Sequence, residues 1–254
     1  VATVHDLHYL DPALAAPRER WYFRQVVVAQ LRRCRLVLTV SQFSAAEIRD
    51  VLGPLGPDVV VVGNGVDSSV LVECESEPMS PTGRQPPPVP RLLFVGRDKT
   101  NKNLPVALAA VALVGRQSPV ELVVVGDVAG DIRTSAPTGV SFVGTVDDTR
   151  LAELYASSSA LLMPSLAEGF GLPALESLVA GTPVVFGDSA ALPEVVGDLG
   201  WPVDPFDVES VAAGIEIAIS SPISVPVARR RALAESHRWE SVADRVVAAV
   251  RASL

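Results

Sequence analysis

Short β-branched runs alternate with helical segments along this chain, and that alternation restricts the fold more than any other feature. Residues 1–4 read as a strand, 21–33 as a helix and 36–40 as a β-branched strand. A helix follows over 44–52, with Ser44 as its N-cap and Gly53 as its stop, and then a buried strand over 59–62. Order βαβαβ favours parallel sheets covered on both faces, because a parallel neighbour is reached only through a crossover. After an interruption, strands at 91–96, 120–126, 140–143, 160–164 and 183–186 alternate with helices at 103–115, 147–157 and 172–180. Two further helices are expected at 208–219 and 239–252. The expected class is α/β, with two Rossmann-type doubly wound parallel sheets.

The interruption fixes the domain organisation. Residues 73–90 lack apolar periodicity and run from Glu73, Cys74, Glu75 and Glu77 into Pro86, Pro87, Pro88 and Pro90. A stretch of that composition stiffens locally without packing, so it reads as a connector, and its alternating glutamates as a solvated linker rather than a metal site. It separates a first unit (residues 1–72) from a second (residues 91–236), with 237–254 as a closing helix. The chain opens inside a strand without an initiator Met, so the first sheet is expected to be incomplete.

Charge excludes some partners. With 21 basic and 29 acidic side chains, the net charge is −8, and no general basic field is available to displace the counterions of a nucleic acid. One cationic stretch stands out: Arg18, Arg20, Arg24, Arg32, Arg33 and Arg35. A solvated helix face is the plainer reading, and a surface for an anionic acceptor or lipid headgroup is the alternative. Cys34 and Cys74 form no disulfide or metal pattern, which suits a reducing, cytoplasmic setting. No apolar run approaches the ~18 residues of a membrane span.

The most informative segment is ALLMPSLAEGFGLPALE, residues 160–176. An apolar strand ends at Pro164, a glycine-containing loop follows, and Pro173 sits where a first helical turn tolerates a missing N–H. Gly169 and Gly171 would clear side chains from the approach of a ligand, and the helix N-terminus would offer amides and partial positive charge to a phosphate. Glu168 and Glu176 flank this loop, and carboxylates so placed suit vicinal diols of a ribose and a sugar. A first-turn dipole partner and a surface acid explain them equally well. Gly169, Gly171 and Ala174 also fit the dinucleotide pattern G-x-G-x-x-A, with Asp188 near the end of the next strand. Against that stand the extra residues between strand and first glycine, the helix stop at Gly181, and a position deep in the unit rather than at its first βα turn.

The run PSLAEGFGLPALESLVAGTPVV, followed by LPEVVGDLG, resembles the E-x7-E region of the GT-B retaining glycosyltransferases called family 4. The resemblance spans nearly the whole chain. VATVHD is similar to the family's acceptor-side strand ending in a histidine, and LVLTVSQFSAAEI and VVGNGVD to the motifs before its interdomain crossing. LLFVGRDKTNKNL is similar to its first C-domain strand, and RWESVADRVV to the helix that returns to the first domain.

The resemblance implies a GT-B-like fold and a retaining, metal-independent transfer of a hexose such as mannose. The donor would be a nucleotide diphosphate sugar, with no further cofactor, and the acceptor a glycan, glycolipid or small hydroxylated molecule. It implies that Arg97 and Lys102, after Gly96, bind the diphosphate and neutralise the charge of the leaving group. Glu168 would contact the transferred sugar, with Gly169, Phe170, Gly171 and Leu172 presenting the loop backbone. Glu176 would hold the ribose, Val146 the base, and His5 the reacting sugar. Glu194 is expected to support packing, and Ser41 and Asn64 to shape turns at the cleft. A cytoplasmic enzyme touching the membrane peripherally through its Arg-rich helix fits this picture. The alternatives are a non-catalytic nucleotide-sugar-binding module and the NAD(P)-dependent oxidoreductase of the dinucleotide reading.

Overall fold

In a computed structural model of the chain, which describes residues 1–66, 89–221 and 223–254, every strand pair is parallel. All but the last two residues of the expected 73–90 connector lie outside the described residues, as do Cys74 and the alternating glutamates.

The first sheet has the order β1 (Ala2–Thr3), β2 (Leu36–Thr39), β3 (Asp58–Val61). Strand β2 is central and buried along its whole length, as its unbroken apolar sequence requires. The helix expected at 21–33 begins earlier and is not uniform: α1 (Pro17–Tyr22), a π turn (Phe23–Val27) and α2 (Val28–Leu31). Its start is set by Pro17 in the first turn and by Glu19, whose side chain accepts the Ala16 N–H at 3.0 Å. Helix α3 (Gln42–Leu52) also starts before the expected residue. Its N-cap is Ser41, not Ser44: the Ser41 hydroxyl accepts the Ser44 N–H at 3.0 Å, and Gly53 at φ 76° ends the helix.

The second unit contains β4 (Arg91–Val95), α4 (Leu104–Val114), β5 (Glu121–Val125), α5 (Gly130–Ser135), β6 (Val140–Gly144) and α6 (Asp148–Ala156). It continues with β7 (Ala160–Met163), α7 (Leu172–Ala180), β8 (Val184–Gly187), α8 (Leu192–Val196), β9 (Gly200–Val203) and α9 (Val208–Ser220). The strand order is β6-β5-β4-β7-β8-β9. Counted within the unit this is 3-2-1-4-5-6, the doubly wound order. Side chains along β4 alternate between two cores. Leu93 packs with α7 on one face, and Leu92 and Phe94 pack with α4 and α9 on the other. The sequence reading omitted α5, α8, β9 and the later α10 (Val227–Ser236). Strand β9 carries Pro202, which cannot donate to a ladder and is tolerated because β9 lies at the sheet edge.

Helix α11 (Trp239–Ala252) crosses back to the first sheet, where Val246, Ala249 and Val250 pack on Leu36, Leu38 and Val62. Arg245 Nε donates to the Val62 carbonyl at 2.7 Å. Helix α10 stays with the second unit, where Arg230 Nε donates to Val179 O at 2.9 Å. Among the described residues no helix is long and apolar enough to cross a membrane.

Candidate active site

In a doubly wound sheet the crevice opens where neighbouring strands send their connections in opposite directions, at the strands' C-terminal ends. Here that point lies between β4 and β7, so the loops after Val95 and after Met163 face one another. The two loops are laced together. Leu166 N–H donates to Asn101 O at 2.8 Å, and Asn101 Nδ2 to Ala167 O at 3.1 Å. Asn103 adopts a left-handed φ of 56° and donates from Nδ2 to both Pro164 O (3.1 Å) and Pro205 O (2.6 Å). Neither asparagine was singled out from the sequence. Their signal was available, since asparagine between strand and helix tolerates that backbone while bonding locally.

Lys102, at the end of a single 3₁₀ turn (Thr100–Lys102), lays its stem over Gly96 and brings Nζ to 2.8 Å from Glu168 Oε1. Both side chains are largely buried. The ammonium approaches Oε1 off the angle of a hydrogen bond, so the pair is held by charge and that oxygen keeps its lone pairs for another donor. Arg97, in the same loop, is exposed and does not line the cleft that Lys102 and Glu168 share.

The two loop glycines are also required by packing within the protein. A Cβ at Gly169 would overlap the His5 carbonyl oxygen and crowd Asp6 Cβ, so the residue is small because the first unit presses on it. Gly171 has φ 96°, caps α7, and a Cβ there would lie 2.6 Å from Leu192 Cδ2. Phe170 is buried, its ring centroid 5.7 Å from that of His237, and Leu172 and Pro173 form the first turn of α7. Deeper in α7, Glu176 Oε2 accepts the Tyr155 hydroxyl at 2.9 Å. Burial, then the Glu176 charge, pushes the Tyr155 pKa well above its usual value of 10.0, so Tyr155 remains a donor that orients the carboxylate. Val146 is partly buried and packs on the same core.

Across the crevice, His5 is exposed and its carbonyl accepts from Ser44 Oγ at 3.0 Å. A cleft of about 480 Å³ between the units is lined by Asp6, His8, Tyr9, Lys99, Lys102 and Glu168 among others. His5 is not among its lining residues. The histidine that faces it is His8, whose Nδ1 lies 3.4 Å from Asp6 Oδ1 and whose buried Nε2 finds no partner among the described residues. Two histidines three apart give no sequence signal of which one turns inward. His8 also lines an adjoining cavity of about 530 Å³ with Glu47, whose pKa is raised chiefly by burial. A larger cavity, about 1070 Å³, runs along the outer edge of β3 beneath α11 and is remote from these loops. Topology and charge, rather than volume, mark the site.

The units are joined at this crevice. Ser41 Oγ donates to Gly169 O at 2.7 Å, and the Ser44 hydroxyl is shared between that carbonyl and His5 O. Glu194 does more than support packing in its own unit, since its carboxylate accepts from Gln42 N and Phe43 N of the other. Asn64 is buried and accepts the Gly65 N–H, shaping its turn. In the cationic stretch Arg32 and Arg35 bond to backbone carbonyls. Arg18 and Arg24 are exposed beside Trp21 and Tyr22, themselves exposed in α1.

Comparison with known proteins agrees with this geometry. Residues 89–221 match the family model of glycosyl transferases group 1, and residues 1–70 that of Glycosyltransferase Family 4. O-antigen chain mannosyltransferase B of Escherichia coli is 28% identical over 99% of this chain and 70% of its own length. The MMP alpha-(1->4)-mannosyltransferase of Mycolicibacterium hassiacum is 32% identical over 98% of this chain and 64% of its own. The chain spans between 50% and 70% of the length of such curated relatives. Among solved structures, sucrose-phosphate synthase from Thermosynechococcus elongatus superposes with a TM-score of 0.80 at 22% identity, covering 98% of this chain and 66% of that one. Two parallel Rossmann-type sheets closing on a switch-point crevice, together with these matches, show that the chain has a GT-B-like fold and belongs to the glycosyl transferases group 1 family.

Proposed function

We propose that the crevice binds a nucleotide diphosphate sugar and that the chain, as part of a glycosyltransferase, transfers the sugar to a hydroxyl acceptor with retention of the anomeric configuration. The observation that carries this reading is the Lys102–Glu168 pair, buried where the β4 and β7 loops meet and beside the N-terminus of α7. A cation and a helix N-terminus converge where a diphosphate would need them, and a desolvated ammonium stabilises a leaving phosphate more strongly than one in water. Arg97, exposed in the same loop, would swing in to supply a second cation. Glu168 Oε1 accepts from hydroxyls of the sugar, the loop over Gly169, Phe170, Gly171 and Leu172 presents its backbone, and Glu176, oriented by Tyr155, takes the ribose diol. Val146 borders the base, and His5, next to the cleft residue Asp6, would have to turn inward to reach the sugar.

In the transfer, the bond from the anomeric carbon to the diphosphate oxygen breaks as the acceptor oxygen bonds to that carbon from the same face. The acceptor proton passes to the departing phosphate oxygen. The cations and the helix supply the charge stabilisation, and no metal is invoked. Relatives described as mannosyltransferases support mannose as the sugar and glycan or glycolipid synthesis as the setting. A lipid-linked acceptor would approach past α1, where Arg18 and Arg24 flank exposed Trp21 and Tyr22. Sedimentation with phosphatidylglycerol vesicles tests that part of the reading. The dinucleotide alternative is disfavoured because its glycines follow β7, the fourth strand of the unit rather than the first.

Calorimetry with UDP, GDP and dTDP against NADH, followed by transfer assays, tests the proposal. Lys102→Ala is expected to weaken diphosphate binding roughly 10- to 100-fold, the range for losing a charge-assisted contact. Glu168→Gln should keep diphosphate affinity and lose turnover. NMR of the product anomer reads retention directly. Binding without transfer would leave a donor-binding module, and wild-type affinity in both Arg97→Ala and Lys102→Ala would remove the diphosphate site.

A further inference from the structure

Helix α3 starts at the junction of the two units, and its first amides are satisfied from both. A helix leaves its opening N–H groups without intrahelical partners. Here Ser41 takes the amide of Ser44, while the amides of Gln42 and Phe43 go to Glu194, 152 and 151 residues away. Both carboxylate oxygens lie 2.9 Å from Gln42 N, and Oε2 lies 3.2 Å from Phe43 N. Glu194 also sits in the first turn of α8, so a single negative charge faces the positive ends of two helices in different units.

Both helices reach the same short stretch of the donor loop. Ala191 N–H, at the N-cap of α8, donates to the Glu168 carbonyl at 3.3 Å. The next carbonyl, Gly169 O, accepts from Ser41 and Ser44 at the start of α3. The backbone at Glu168–Gly169 is therefore gripped at successive carbonyls, Glu168 O by α8 and Gly169 O by α3, and Glu194 ties those two helices together. We propose that Glu194 is a positioning residue: by capping α3 across the interface, it makes closure of the two units and placement of the Glu168 carboxylate one event. The inference deepens the donor-site reading above and rests on it for its effect on turnover.

Hydrogen exchange on the full chain, combined with nucleotide binding and transfer kinetics, tests it. In Glu194→Ala, peptides covering residues 42–43 and 168–170 should both exchange faster, while the Kd for GDP or UDP is unchanged. The transfer kcat should fall about tenfold or more, as expected for losing charge-assisted bonds that hold a reacting geometry. Glu194→Gln keeps one carbonyl acceptor and should recover part of that kcat, a graded response that simple loss of fold would not give. Far-UV circular dichroism and melting verify that both variants fold. Wild-type exchange at 168–170 in Glu194→Ala, or wild-type kcat, would make Glu194 a local helix cap and overturn the proposal. Absence of transfer by the unmodified chain with every donor would instead count against the sugar-transfer reading, and the exchange data would still decide the clamp.

Discussion

The two sheets solve the same packing problem with unequal means. The six-stranded sheet carries a full apolar core on each face, with α7 on one side and α4 and α9 on the other. The three-stranded sheet has one core of its own, around Val37 and Ile48, and its second face is closed by α11, which arrives from the far end of the chain. One unit brings its own stability, and the other draws on a helix that is covalently continuous with its neighbour. Folding of the first unit is therefore linked to the second through α11. The largest expected effect is removal of residues 239–254. That change uncovers Leu36, Leu38 and Val62 and forfeits the Arg245 bond to Val62 O. Leaving several aliphatic side chains unburied costs on the order of 5 kcal/mol. Limited proteolysis should then digest residues 1–66 while the second unit survives. Equal resistance of both units would erase the contrast.

The contrast sharpens at the glycines. Gly169 belongs to the second unit but is pressed by the His5 carbonyl oxygen and Asp6 Cβ of the first, and neither is the flexible end of a side chain. Gly169→Ala should cost about 1–3 kcal/mol, as overpacking does, by driving the units apart while the six-stranded core stays intact. Gly130→Ala is the control. It meets nothing within 4 Å, stands in α5, and should be neutral or stabilising by a few tenths of a kcal/mol, up to about 1. Calorimetric scans of the two variants decide whether strain at Gly169 acts at the interface. A Gly169→Ala protein with the wild-type Tm and transfer rate would show that the close approach is not limiting.

Legibility in the sequence followed the same division. Strands buried on both faces announce themselves as unbroken apolar runs, which is why β2, β4, β5 and β7 were placed to within a residue or two, and α7 and α11 were read at their observed bounds. Elements that depend on partners far along the chain were not. Helix α10 reads as a polar segment because Arg230, one of its buried residues, looks like surface until Val179 O is seen to accept from it. The start of α3 was misplaced for the same reason: the acid that completes its cap is Glu194, supplied by the other unit. The candidate site shows the same split. Lys102 and Glu168 were singled out and meet. The cleft-facing histidine is His8 rather than His5, a matter of local rotation that spacing alone does not encode.

The smallest expected effect concerns pH at the joint itself. His237 lies where α10 hands over to α11. Its carbonyl accepts the Val66 N–H, and its ring rests against Phe170 of the loop after β7. Burial, and secondarily the nearby Arg245 charge, lowers its pKa below the usual 6.5, against the opposing pull of its bond to Leu233 O. A histidine whose folded pKa is depressed binds its proton more readily when unfolded, so acid favours unfolding. Its contribution is complete above the unfolded value near 6.5 and is lost as the pH falls through the lower folded value. Between pH 8 and pH 5 the wild-type Tm should therefore fall more steeply than that of His237→Gln, with the curves parting only below about 6.5. Parallel curves over that range would detach the joint from this titration. A difference confined to acid would tie the stability of the fold to protonation of His237 at the joint.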